Sequence, residues 1–284
     1  MKKISLLLLL VSSTAFSQSL LWKVSGNGLK QPSYLFGTYH ILKDSYLNQK
    51  PKVKAAYEGA EGVVVETEID SSAMLSMMMR SMMLDKSLNK LLAEPDYTLV
   101  ADEFKRATGF DLGLFNQIKP IITATMLSMT YAQKQSDTLS TFTGLPIDLY
   151  FASDGRKRNK TIGTFETMEE QMSFLLDHDP VEKQAQQLVE MVKSKADMYD
   201  MGKSVTELYL KEDLQGMWKL SEKQGKSFGD MSYLVDERNH NWMKRLPGLM
   251  AARPTFVAVG ALHLPGPNGL IELLKKEGYT VEPQ

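Results

Sequence analysis

Tyr34-Leu35-Phe36-Gly37-Thr38-Tyr39-His40 and, far along the chain, Phe256-Val257-Ala258-Val259-Gly260-Ala261-Leu262-His263 share one plan: an apolar run, a glycine, two residues and a histidine. Short apolar runs of this kind read as buried strands. If the two are parallel neighbours, their exits lie at the carboxyl edge of a sheet, where ligands of open α/β sheets bind. Adjacent strands are about 4.8 Å apart, so His40 and His263 would converge on one ion or one substrate group. Glycine at each exit permits a tight turn that folds the imidazole back over the sheet edge. A lone Gly-x-x-His reads as a turn with a structural histidine, and it is the repetition after two buried runs that singles this pair out.

A third run, Gly62-Val63-Val64-Val65-Glu66, ends in a carboxylate that would project from the same edge. Two imidazoles and a carboxylate make a three-ligand site with an open position for water, suited to zinc, manganese, cobalt or iron. Glu68, two residues on, shares the strand face of Glu66 and is the reserve ligand.

Outward from these runs, further strands are expected over 20–24, at 161–162 and at 279–281, with Gly26-Asn27-Gly28 as a turn. Residues 71–134 have helical spacing punctuated by Pro95, the 109–113 segment and Pro120, and 145–157 and 167–247 are helical in turn. Strands therefore cluster at both ends of the chain, with most helices between. The expected fold class is α+β, a small central mixed sheet built from strands near both chain ends with a large, mainly helical insertion at about 71–247. Residues 18–284 read as a single domain, because no Gly/Ser/Pro linker bounds the insertion.

The start of the chain stands apart. Lys2 and Lys3, the apolar 4–11 stretch and Ala15-Phe16-Ser17 read as a signal peptide, 1–17, cleaved before Gln18. Its apolar stretch is too short to span about 30 Å of hydrocarbon, so an exported protein, periplasmic or secreted, without stable membrane insertion is expected. The absence of cysteine fits export and excludes disulfides, thiolate metal sites and a cysteine nucleophile. Thirty-three basic against thirty-four acidic residues, net −1, argue against nucleic acid as a partner. Nucleotide-binding glycine motifs, Gly-x-Ser-x-Gly and His-Glu-x-x-His are all missing.

Gly37-Thr38-Tyr39-His40-Ile41-Leu42 together with Val259-Gly260-Ala261-Leu262-His263-Leu264-Pro265-Gly266-Pro267-Asn268-Gly269-Leu270 resembles the TraB/GumN family, the group related to the Tiki proteases. The likeness extends to Leu21-Trp22-Lys23-Val24, Val63-Val64-Val65-Glu66, the 161–171 segment and Asp236-Glu237-Arg238-Asn239, nearly the whole chain after the leader. Its most specific part is the second histidine motif with its Leu-Pro-Gly. The resemblance implies a metal-dependent protease-like hydrolase whose core is His40, His263, Glu66 and Arg238. Glu166 matches a further acidic position, although Thr164-Phe165-Glu166 stands where Gly-Leu-Glu is more usual.

On that reading Glu166 or Glu68 serves as general base and Arg238 faces an oxyanion or a substrate carboxylate. The bland alternatives are a surface salt bridge of Arg238 with Asp236 or Glu237 and a helix-start charge at Glu166. The substrate is expected to be a peptide or a small molecule. The alternative function is a non-catalytic protein that holds a metal, haem or a peptide on the same scaffold, or sequesters a secreted peptide. His178, before Pro180, reads as an exposed loop residue, and His240 faces away from Arg238 on its helix. The methionines at 74, 77, 78, 79, 82 and 83 leave three readings: core packing, an adaptable apolar groove, or a thioether site for Cu(I).

Overall fold

The computed structural model describes residues 18–68, 71–83, 85–134, 137–228 and 232–284. The expected leader, 1–17, lies outside the described residues. Six strands form one sheet: β1 (Leu21–Gly26), β2 (Ser33–Thr38), β3 (Gly62–Val65), β4 (Thr161–Thr164), β5 (Thr255–Gly260) and β6 (Tyr279–Pro283), in the order β4-β3-β5-β2-β1-β6. β4, β3, β5 and β2 run parallel, while β1 and β6 close the far side antiparallel. This is the mixed sheet expected from strands near both ends of the chain, and one strand, β4, comes from within the helical insertion.

One helix, α1 (Pro51–Gly59), joins β2 to β3. Between β3 and β4 lie α2 (Ser71–Ser81), α3 (Leu88–Leu91), α4 (Glu94–Thr108), α5 (Pro120–Lys134), α6 (Asp137–Ser140) and α7 (Ile147–Lys157). After β4 come α8 (Met168–Leu176), α9 (Val181–Lys193), α10 (Lys195–Leu210), α11 (Leu214–Phe228), α12 (Ser232–Met243) and α13 (Leu246–Ala252), and α14 (Leu270–Lys276) precedes β6. Local chemistry sets the helix ends. α4 carries Pro95 in its first turn and stops at Gly109, which takes the left-handed conformation at φ 83. α8 opens with a capping box in which Thr167 and Glu170 satisfy each other's backbone N–H groups.

Two main cores result. The first covers the sheet: Leu35, Phe36, Val63, Val64, Phe256 and Val257 pack with Phe151 of α7 and Trp242 of α12. Such buried aromatic and aliphatic side chains each contribute about 1.5–3 kcal/mol through burial. The second lies within the helical insertion, where Val100 and Phe104 of α4 meet Leu127 and Tyr131 of α5 and Leu188 and Val192 of α9. A small third cluster is separate: Met168, Met172 and Leu176 of α8 pack with Met77 of α2 and with Ile121 and Ile122 of α5. Met77 thus serves packing, whereas Met78 and Met79 are exposed.

The register explains the glycines differently from the expected tight turns. Gly37 pairs with Val259 inside the sheet, and a β-carbon there would lie 2.9 Å from the Ala261 Cα and 3.2 Å from Leu264. Gly260 sits at φ −49 and ψ 136, a conformation open to any residue. Both are glycine because other atoms come close, not because the turn needs positive φ.

Candidate functional site

The parallel strands β3, β5 and β2 are consecutive neighbours, and their exits carry Glu66, Gly260 to His263, and His40. The central strand, β5, places His263 between the other two. His263 is buried, and its Nδ1 lies 2.7 Å from Asn239 Oδ1. The Asn239 amide is oriented by its Nδ2, which donates to the carbonyls of His263 (3.1 Å) and Asn268 (2.8 Å). Its oxygen therefore faces the imidazole, Nδ1 carries the proton, and Nε2 keeps its lone pair. Burial pushes His263 down to about 3, so the ring is neutral at physiological pH.

His40 has the same arrangement with a stronger partner. Its Nδ1 lies 2.8 Å from Asp148 Oδ2, and the other Asp148 oxygen accepts from the Thr38 hydroxyl. Asp148 stands in the first turn of α7. Its negative charge raises His40 to about 9, although the His40 side chain is 66% exposed. Nδ1–H is thus anchored in both histidines and Nε2 is the outward nitrogen. A β-carbon on Gly260 would stand 3.2 Å from Glu66 Oε1, 3.5 Å from His263 Cδ2 and 4.0 Å from His40 Nε2. The bare glycine keeps open the space that these three side chains share.

Glu66 Oε1 accepts the Gly260 N–H at 2.7 Å and lies 3.8 Å from His263 Nε2. Burial alone would raise the Glu66 carboxyl, but Arg238, the cationic form of His40 and the Gly260 N–H together hold it well below the usual carboxylate range. Arg238, on α12, is buried and has all five N–H groups engaged. Nε and Nη2 bind the two Glu166 oxygens at 2.8 and 2.9 Å, and Nη2 also binds Glu66 Oε2 at 2.7 Å. Nη1 donates to the Leu234 carbonyl at 3.1 Å and meets His263 Nε2 at 3.3 Å. That last contact is the one N–H of Arg238 not committed to a carboxylate or a carbonyl.

Trp242, one turn further along α12, completes the support. Its Nε1 donates to Glu166 Oε1 at 2.7 Å, and its ring stacks on His263 at 4.2 Å and on Phe165 at 4.8 Å. The Arg238 guanidinium lies 4.9 Å from the Trp242 ring centroid, a cation–π contact in a desolvated setting.

The structure therefore gathers His40, His263, Glu66, Glu166 and Arg238. Neither bland alternative describes it: Arg238 pairs with Glu66 and Glu166, and Glu166 accepts three hydrogen bonds in the interior. Those three bonds suit Glu166 to holding Arg238 and Trp242 in place. Glu68 is turned aside, paired with Arg156 of α7 at 2.5 and 2.6 Å. His178 is exposed, as read, with its ring stacked 3.5 Å from Tyr233, and His240 is exposed. Asp148 and Trp242 went unmarked in the sequence, and Asn239 was quoted only within the Asp236-to-Asn239 segment and given no role, although the i,i+4 spacing of Arg238 and Trp242 was a signal for a shared helix face.

The donor set can be tested against a divalent ion. Two imidazole nitrogens and an ionised carboxylate face one space, and each imidazole has its second N–H held by a side-chain oxygen, as metal-binding histidines do. The chemistry and the tautomers fit. Among the described residues no three of His, Cys, Asp and Glu stand closed into a coordination set, and Arg238 now shares both Glu66 and His263. Beside this space, a cleft of about 410 Å³ is lined by Thr67, Glu68, Thr164, Glu166, Thr167, Met168, Glu169 and Met172, together with Ser76 and Arg80 of α2.

The TraB/PrgY/gumN family profile matches residues 20–283. The chain belongs to the TraB/PrgY/gumN family. Among curated proteins it is similar to the zebrafish (Danio rerio) "Metalloprotease TIKI2", 24% identical over 93% of this chain and 60% of that protein. The zebrafish "Metalloprotease TIKI1" is 25% identical over 93% of this chain and 63% of that protein. The chain thus spans about three-fifths of the length of these relatives. No solved structure matches it.

Proposed function

We propose that this protein is an exported, metal-dependent hydrolase acting on peptide or amide bonds, in which His40, His263 and Glu66 hold a divalent ion such as zinc, manganese, cobalt or iron. The observation that carries the reading is the paired tautomer arrangement. Asp148 and Asn239 each hold an Nδ1–H and leave both Nε2 atoms toward the space beside Glu66. The names of the two relatives, both metalloproteases, support the same reading.

A divalent ion there supplies Lewis-acid polarisation of a carbonyl and a more acidic bound water. The chain's own residues supply the rest. Asp148 and Thr38 orient His40, while Asn239 and the Trp242 stack orient His263. Arg238 holds Glu66 ionised and offers the Nη1 N–H beside His263 to a developing oxyanion. Glu166 positions Arg238, and Glu68, paired with Arg156, stays outside the ligand set. Asp148 raises the proton affinity of His40, so a cation at Nε2 competes there with a proton and binds more strongly as pH rises. No helix among the described residues is long and apolar enough to cross a membrane.

The test is metal content and peptide hydrolysis of residues 18–284 beside a His40→Ala/His263→Ala double variant, purified without chelator. Near-stoichiometric metal and turnover, both lost in the variant, are expected. A folded chain that takes up none of the four metals on reconstitution would overturn the reading. Metal bound tightly without hydrolysis of any peptide would instead favour a binding protein on the same scaffold.

A further inference from the structure

β4 is the terminal strand of the sheet on the side nearest Glu166, and only its inner edge is paired. The Thr161 N–H donates to the Glu61 carbonyl at 3.1 Å and the Phe165 N–H to the Val65 carbonyl at 3.0 Å. Alternate residues of a strand face opposite edges, so residues 161, 163 and 165 turn toward β3. Ile162 and Thr164 therefore direct their N–H and C=O groups to the outer edge. Among the described residues no hydrogen bond uses those outer groups. The substantial contacts of β4 are with β3 and α7 alone, and Ile162, Gly163 and Thr164 remain half-exposed.

This edge leads into the cleft beside Glu166. Thr164, its last residue, lines the cleft beside Glu166, with the flexible apolar side chains of Met168 and Met172 and the hydroxyls of Ser76 and Thr167 around it. Two outward donor–acceptor pairs, one on each of two alternate residues, match the backbone of an extended polypeptide and little else. An adaptable thioether floor accepts apolar side chains of varied shape.

We propose that the outer edge of β4 receives an unfolded polypeptide as an added strand, whose chain then continues into the cleft beside Glu166. The proposal rests on the peptide-hydrolase reading and names its substrate class: extended, non-globular chains, held by backbone more than by side-chain identity.

The experiment uses the folded chain of residues 18–284 and fluorescein-labelled β-casein, an unfolded polypeptide, as probe. Thr164→Pro removes one outward donor and leaves the ladder to β3 intact, because that N–H takes no part in it. Binding is read by anisotropy on the His40→Ala/His263→Ala background, and KM by hydrolysis on the native background. Thr164→Pro should weaken binding and raise KM about tenfold with kcat little changed, through loss of one bond and its neighbour. As a second arm that needs no variant, a twelve-residue casein peptide with six consecutive central residues N-methylated should lose binding to the native chain. Unchanged binding of both the variant and the methylated peptide would overturn the proposal. So would a dimer of the native chain that Thr164→Pro turns into a monomer, since a second copy would then own the edge. Hydrolysis with unaltered KM in the variant refutes the edge and spares the hydrolase reading. Casein binding lost in Thr164→Pro, without turnover in any form, does the reverse.

Discussion

Arg238→Met is the most informative single change in this protein. The guanidinium bridges two buried carboxylates, Glu166 and Glu66, whose side chains are 5% and 14% exposed. Methionine keeps much of the volume and the contact with Trp242 but removes all five donors. Glu166 would retain the Trp242 N–H, and Glu66 the Gly260 N–H with a long 3.4 Å contact from Gln171. Breaking a buried ion pair by removing one partner costs about 3–5 kcal/mol, because the charge left behind stays desolvated. For a domain of this size that lowers Tm by roughly 10 °C. Urea unfolding at pH 7 measures the loss, and adding Glu166→Gln should restore part of it, since one of the stranded charges is then gone. The double variant should accordingly be more stable than Arg238→Met alone. A Tm within about 2 °C of the native chain, or strictly additive losses in the double variant, would refute the idea that Arg238 holds two buried charges in place.

Three further outcomes follow from other parts of the fold. Glu103 is buried in the helical insertion; burial would raise its carboxyl, but bonds from Arg106, Lys195 and Tyr131 hold it down to about 2. Its contribution is present above the unfolded value near 4.5 and fades as pH falls toward 2, so Glu103→Gln should cost a few kcal/mol at pH 7 and much less at pH 3 by urea titration. Asp148→Asn should drop the His40 imidazole from about 9 toward the ordinary value of about 6.5, read from ring-proton NMR shifts. The native advantage from that pair is full below about pH 6.5 and lost as pH rises through 9, and an unmoved His40 titration would exclude Asp148 as its cause. Gly37→Ala places a methyl 2.9 Å from the Ala261 Cα and should destabilise by about 1–3 kcal/mol through overpacking, whereas Gly28→Ala, with no atom nearby, meets only the strain of its positive φ.

The neighbourhood of β2 and β5 was legible because each carries an uninterrupted apolar run ending in the same glycine–histidine phrase, and parallel buried strands have little freedom to place such runs elsewhere. Glu66 was legible for the same reason, at the end of Val63-Val64-Val65. What the strands could not announce was the apparatus that orients the imidazoles. Asp148 sits in an ordinary helix start, where an acidic residue is favoured by the dipole alone, and its tie to His40 depends on how α7 crosses the sheet. Asn239 and Trp242 lie on α12, whose position against β5 is set by packing across long stretches of chain. The role of the glycines was also hidden, since close approach of Ala261 and Leu264 leaves no local trace around Gly37. Within 71–134 the breaks at Pro95 and Pro120 were legible, but not that the helices between them build a core of their own.

The Met77–Met168–Met172 seam has a mechanical consequence. The histidine edge is braced by the sheet core and by saturated hydrogen bonds through Arg238, Asn239 and Trp242, while the neighbouring cleft, lined by Glu166 on that side, leans on a handful of rotatable thioethers. Stiffness is therefore unequal between the two neighbours: the histidine edge is rigid and the cleft beside it gives. Substitutions of the cleft-lining methionines can reshape what enters without touching the histidines, so divergence among members of such a family should concentrate on those positions.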